Sequence, residues 1–93
     1  KPERTVQFMG YAAEEVGLLG SADIASQYKR SGKKVIGVMQ LDMTGHHGTS
    51  NKDIVMMSDY TNKHQNAFIG ALIDKYLGYS WGYSKCGCYD LFK

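Results

Sequence analysis

Two strand-like runs, each ending near carboxylates, constrain the fold of this chain more than any other feature. Residues 5–12 alternate loosely between apolar and polar positions, and residues 35–43 are almost continuously apolar, as expected for parallel strands covered on both faces. Glu14 and Glu15 follow the first run, and Asp42 stands near the end of the second. Because a helix-like segment separates the two runs, the order predicts an α/β fold with a right-handed βαβ crossover.

This crossover would bring the three carboxylates to one edge of the sheet. In open α/β sheets, ligands bind outside the carboxyl ends of the strands. Carboxylates that gather there without Lys or Arg partners need a cation to relieve their mutual repulsion. The sequence therefore predicts a metal site at Glu14, Glu15 and Asp42. An adjacent Glu-Glu pair taken alone is more often a solvated helix start.

The remaining elements are predicted from local signals. Apolar residues recur at helical spacing from Leu18, and Gly32 occupies the position where a left-handed residue ends a helix of about four turns. Basic side chains gather at the end of this helix, where they complement its dipole. A third short strand is predicted at residues 53–58.

A second helix follows the third strand. Asn62 and Gln65 resemble a capping box, and an apolar helical face then continues up to Gly78. Residues 79–93 are aromatic and glycine-rich, which is compatible with one more short strand and a loop. Three central strands and two helices need helices on both faces and neighbours at the edges, so the chain is expected to be the middle of a larger domain.

Length and composition limit the function classes. A chain of 93 residues is at most one domain with a thin core, and 43% hydrophobic with 22% charged residues is typical of a globular protein. The net charge is only +2, and no aromatic residues interleave with the basic ones, which disfavours nucleic-acid binding. No apolar run approaches the roughly 18 to 20 residues of a membrane span.

The run AEEVGLLGS at residues 13–21, followed by LDMT at 41–44, resembles the secreted bacterial leucyl aminopeptidases that use two zinc ions. The resemblance continues through the strand at 53–58, the SDYT turn at 58–61 and the helix after it. It implies a three-layer α/β/α zinc-peptidase fold with a mostly parallel central sheet. Residues 1–93 would then form part of a single peptidase catalytic domain that is incomplete at both ends.

The resemblance also implies roles for individual residues. Glu14 matches the general base that takes a proton from the zinc-bridging water and passes it to the leaving amine. Glu15 matches a terminal ligand of one zinc ion, and Asp42 matches a terminal ligand of the other. Met43 matches a position that lines the pocket for a hydrophobic N-terminal side chain, although a Met at a strand end is more often core filler.

Several parts of the family pattern have no counterpart here. The remaining ligands of the family, two histidines and a bridging aspartate, are missing, and the adjacent His46 and His47 are poor substitutes because neighbouring side chains rarely point at one ion. His64 is expected on the surface of the second helix. Cys86 and Cys88 are too close for an ordinary disulfide loop, and the family spaces its pair more widely, so free thiols and a strained bridge both stay open.

The resemblance therefore implies an internal piece of a secreted, extracellular and monomeric aminopeptidase. Its partner would be a peptide with a free N-terminus, cleaved after hydrophobic residues such as Leu, with no nucleic acid or membrane involved. The isolated chain is expected to be inactive, because it holds two terminal zinc ligands and no bridging one. The alternatives are a non-catalytic α/β interaction domain on the same scaffold, or a related zinc carboxypeptidase or cyclase.

Overall fold

The computed structural model describes residues 1–45 and 51–85, which fall into two compact units: Lys1–Ile36, and the described residues from Gly37 onward. The first unit contains helix α1 (Leu19–Arg30). The second contains strand β1 (Ile54–Met57), helix α2 (Lys63–Tyr76) and strand β2 (Trp81–Ser84). Helices and a small parallel sheet confirm the predicted α/β class.

Helix α1 follows the predicted pattern at its end. Lys29 and Arg30 occupy its last turn, beside the negative end of the helix dipole. Gly32 has φ +66°, its N–H donates to the carbonyl of Lys29, and the Lys33 N–H donates to the carbonyl of Tyr28. These two bonds form a Schellman motif, so the glycine that was predicted to end the helix does so.

The sheet consists of β1 and β2 in parallel register, with Ile54 opposite Trp81. Both strands fall inside segments for which a strand was predicted. Asp53 and Ser80 fix the start of the pair: the Asp53 carboxylate accepts from the N–H and the hydroxyl of Ser80, each at 2.8 Å. The Asp53 N–H donates to the Ser80 hydroxyl at 3.0 Å. These reciprocal bonds hold together two segments that lie far apart in the sequence.

Helix α2 connects β1 to β2 and packs on the sheet. Half of the predicted capping box forms: the Asn62 side chain accepts from the N–H groups of His64 and Gln65. The Gln65 side chain, however, donates to the carbonyl of Val38 and does not accept from the Asn62 N–H. Gly70 leaves room for the ring of Trp81, because a Cβ at position 70 would overlap that ring. The Trp81 indole N–H donates to the Asp74 carboxylate at 2.9 Å. The sequence β1, α2, β2 is therefore a parallel βαβ unit.

The prediction of central strands at residues 5–12 and 35–43 is wrong, since neither segment pairs with a strand among the described residues. A strand persists only when a neighbour satisfies its backbone groups. Residues 5–12 instead contact α1, where the Tyr28 hydroxyl donates to the Gln7 side chain at 2.6 Å. In the second unit, the Gln65 side chain donates to the carbonyl of Val38 at 2.5 Å.

The core is thin, as the chain length predicts. Within the described residues, Ile73 is the one buried large apolar side chain, at 5% exposure. Most apolar residues of the two segments that were expected to form central strands are exposed, and Phe8 reaches 95%, whereas Tyr11 is half-buried. None of the helices in the described ranges is long and apolar enough to cross a membrane.

Candidate active site

Glu14 and Glu15 lie together in an exposed turn directly before α1. The backbone carbonyl of Glu14 accepts from the N–H groups of Gly17 at 3.1 Å and Leu18 at 3.0 Å, which closes the turn. Ala13 before the turn and Leu18 after it have φ values of +58° and +59°. Non-glycine residues in this region are uncommon and persist where the surroundings impose them.

The first turn of α1 supplies part of that constraint. The Leu19 N–H donates to the carbonyl of Ala13 at 3.2 Å, and the Gly20 N–H donates to the carbonyl of Ala12 at 3.0 Å. The backbone is thus bonded on both sides of the acidic pair. A turn held in this way presents its two carboxylate side chains from a defined backbone position.

Asp42 and Met43 lie in the second unit, at the end of the segment that Gln65 contacts. Asp42 is exposed, and Met43 is 89% exposed with φ +45°. The Met43 side chain is therefore not core filler in this structure. Glu14 and Glu15 thus lie side by side in the first unit, and Asp42 and Met43 lie side by side in the second. That all of them belong to one metal centre stays a prediction from the sequence.

The other candidate residues are placed as follows. His64 is exposed in the first turn of α2, as predicted. His46, His47, Cys86 and Cys88 lie outside the described residues, so the predictions for them stay open.

Sequence reasoning missed the residues that shape the acidic turn. Ala13 and Leu18 gave no signal, because nothing in an Ala or Leu predicts a positive φ. Gly20 did give one: a glycine inside a predicted helix costs about 1 kcal/mol relative to Ala and often marks a close packing contact.

The donor chemistry of the predicted site suits a divalent cation only in part. Carboxylate oxygens are good ligands for zinc at terminal positions. Across residues 1–45 and 51–85, however, no group of three or more His, Cys, Asp or Glu side chains could hold a metal ion. The described residues therefore offer single ligands and not a complete zinc site.

Comparison with known proteins gives the class. The sequence model of peptidase family M28 matches residues 1–81. This range contains the acidic turn, strand β1 and helix α2, and it ends at the first residue of β2. The chain belongs to peptidase family M28.

The relatives agree with this family. The chain is 37% identical over 92 residues to a leucine aminopeptidase 1 of Ajellomyces capsulatus, which covers 94% of the chain and 24% of the relative. A probable aminopeptidase of Saccharomyces cerevisiae is 36% identical with the same coverage, and leucine aminopeptidase 1 of Trichoderma harzianum is 38% identical over 89% of the chain and 22% of its own length. The chain thus spans about a quarter of the length of the curated relatives it matches.

Proposed function

We propose that these 93 residues are part of the catalytic domain of a zinc-dependent aminopeptidase that removes hydrophobic N-terminal residues such as Leu. The observation that carries the proposal is the Glu14–Glu15 pair, which lies in an exposed turn before α1 whose backbone is hydrogen-bonded on both sides of the pair. Membership of family M28 and the names of the relatives support the reaction class. The preference for hydrophobic residues rests on the resemblance to leucyl aminopeptidases and on the exposed Met43.

The proposed roles follow the chemistry of each side chain. Zinc, when bound, would polarise the scissile carbonyl and lower the pKa of water. The Glu14 carboxylate accepts a proton from the attacking water and delivers it to the amine that leaves. Glu15 and Asp42 would each hold one of two zinc ions, and Met43 would contact the N-terminal side chain of the substrate.

The active molecule is proposed to be longer than this chain. The chain spans about a quarter of its relatives, and its described residues form no complete metal site. The missing ligands would come from the rest of the domain. The two zinc ions, the extracellular location and the monomeric state are proposed from the resemblance alone. A bacterial origin has the same basis, and the relatives named above, which are fungal, do not support it.

The test compares Glu14→Gln with wild type in the full-length protein, at equal zinc occupancy, on a chromogenic leucyl amide. Loss of the general base is expected to lower kcat by about 10² to 10⁴-fold or more. Glu3→Gln is the matched control, because Glu3 is an exposed carboxylate outside the turn, and it should leave kcat unchanged. A Glu14→Gln variant as active as wild type would contradict the assignment of Glu14 as general base, and a wild-type protein without turnover would favour a non-catalytic domain on the peptidase scaffold.

A further inference from the structure

Gly20 lies against the backbone that leads into the Glu14–Glu15 turn. Its N–H donates to the carbonyl of Ala12 at 3.0 Å. A Cβ at position 20 would lie 2.5 Å from the carbonyl oxygen and 2.8 Å from the nitrogen of Ala12. Real Cβ atoms essentially never approach other atoms within 3.0 Å, so any side chain here would have to displace backbone.

The requirement for glycine at this position is one of space. Gly17 has φ +113°, whereas Gly20 lies inside α1 and is not among the residues with positive φ. A glycine within a helix destabilises it by about 0.5 to 1 kcal/mol relative to Ala. The glycine is present where α1 contacts Ala12, two residues before Glu14, in spite of this cost.

The contact between α1 and the preceding chain extends to the strained backbone of the turn. Ala13, at φ +58°, is linked to α1 through the bond between its carbonyl and the Leu19 N–H. Because α1 is anchored on Ala12 and Ala13, its first turn sets the direction in which the chain leaves toward Glu14. A displacement of Gly20 would therefore move the acidic pair.

We propose that Gly20 is a positioning residue for the Glu14 carboxylate. Its lack of a side chain lets α1 approach Ala12 closely and so fixes the turn from which Glu14 reaches the substrate. The inference rests on the proposed role of Glu14 as general base. A displacement of a catalytic group by about 1 Å can lower the rate by about 10²-fold, so even a small shift at position 20 is measurable.

The experiment compares Gly20→Ala with Gly10→Ala in the full-length protein. Gly10 lies in the same segment as Ala12 and has no atom within 4 Å of a Cβ built on it, which makes it the matched control. We expect Gly20→Ala to lower kcat for a leucyl amide by about 10 to 100-fold at equal zinc occupancy, with KM within about twofold of wild type. Gly10→Ala should keep kcat within about twofold of wild type.

The value of kcat per folded, zinc-loaded molecule separates a positioning role from a merely structural one. A structural role would lower the melting temperature and the folded fraction but leave kcat per folded, zinc-loaded molecule unchanged. That outcome overturns the inference while wild-type turnover and its loss in Glu14→Gln still support the proposed function. A wild-type protein without turnover overturns the proposed function, and this inference with it.

Amide hydrogen exchange on the wild-type protein provides a second test, which applies even where Gly20→Ala does not fold. The N–H groups of Leu19 and Gly20 are expected to exchange as slowly as those in the middle of α1, because both donate to the chain before the turn. Exchange at the rate of an unstructured chain would overturn the inference.

Discussion

At the scale of single residues, backbone conformation marks the proposed site. Within the described residues, the non-glycine residues with positive φ are Ala13, Leu18, Met43 and Tyr60. Two of them flank the turn of Glu14 and Glu15, and Met43 follows Asp42 directly. Each such residue costs on the order of 1 to 3 kcal/mol, which fits residues whose conformation serves a site.

Asn62 offers a test of the structure at the same scale. Its side chain accepts from two N–H groups that no carbonyl of α2 can reach. Asn62→Ala should therefore lower the free energy of unfolding of the 93-residue chain by about 1 kcal/mol in urea denaturation followed by circular dichroism. Asn62→Asp keeps the acceptor and should restore most of this loss. Equal stability of the Ala variant and wild type would show that the cap does not form.

At the scale of elements, the features that could be predicted from the sequence are those set by residues close to one another in the chain, such as helix ends. Asn62, Gly32 and Gly78 mark helix ends through contacts within a few positions, and the structure confirms all three. Residues 5–12 and 35–43 have the composition of strands, but composition does not supply a pairing partner. Their predicted pairing fails because backbone groups of a strand are satisfied only by a second segment.

The same limit applies to the contacts that the sequence did not reveal. β1 and β2 were expected as separate short strands, and their parallel pairing joins segments far apart in the sequence, as the bond between Asp53 and Ser80, 27 positions apart, illustrates. The place of Glu14 and Glu15 between an apolar run and a helix was predicted from the sequence, but the turn that holds them was not. The approach of Gly20 to Ala12 was not predicted either, because it depends on where α1 lies in space.

The contact between α2 and β2 gives a prediction at the element scale. Gly70→Ala would gain up to about 1 kcal/mol of helix propensity, but its methyl group would overlap the Trp81 ring. Overpacking of this kind costs about 1 to 3 kcal/mol, so we expect a net loss of stability. Trp81 is the single tryptophan of the chain, so its fluorescence in urea reports the change directly.

The control for this prediction is Gly82→Ala. A Cβ at position 82 would lie 3.7 Å from the Lys52 side chain, an ordinary van der Waals distance. Stability should change by less than about 0.5 kcal/mol in this variant. A Gly70→Ala chain as stable as Gly82→Ala would contradict the packing of Trp81 on α2.

At the scale of the whole molecule, many large apolar side chains that a hydrophobic core would bury are exposed. Leu41 is 69% exposed in the segment that carries Asp42, and Phe8 is almost fully exposed in the segment before Glu14. Exposed apolar surface of this extent is typical of segments that pack against other parts of a protein. This agrees with a chain that spans about a quarter of its relatives.

The isolated chain should consequently be inactive. Incubated with zinc and a chromogenic leucyl amide, the purified 93 residues should give no turnover above the buffer blank, because the described residues hold no complete metal site. The full-length protein, assayed in parallel, should hydrolyse the amide and lose activity when a chelator removes the zinc. Zinc-dependent turnover by the isolated chain would show that ligands outside it are dispensable.

The central claim is that Glu14, Glu15 and Asp42 act at one dinuclear centre, and the most direct measurement is a crystal structure of the zinc-loaded full-length protein with anomalous data at the zinc edge. The account predicts two zinc ions, one with a Glu15 carboxylate oxygen and the other with an Asp42 carboxylate oxygen at about 2.0 to 2.2 Å. Glu14 should lie beside both ions without binding either. Zinc peaks distant from Glu15 and Asp42, or these two carboxylates on opposite sides of the molecule, would contradict the account.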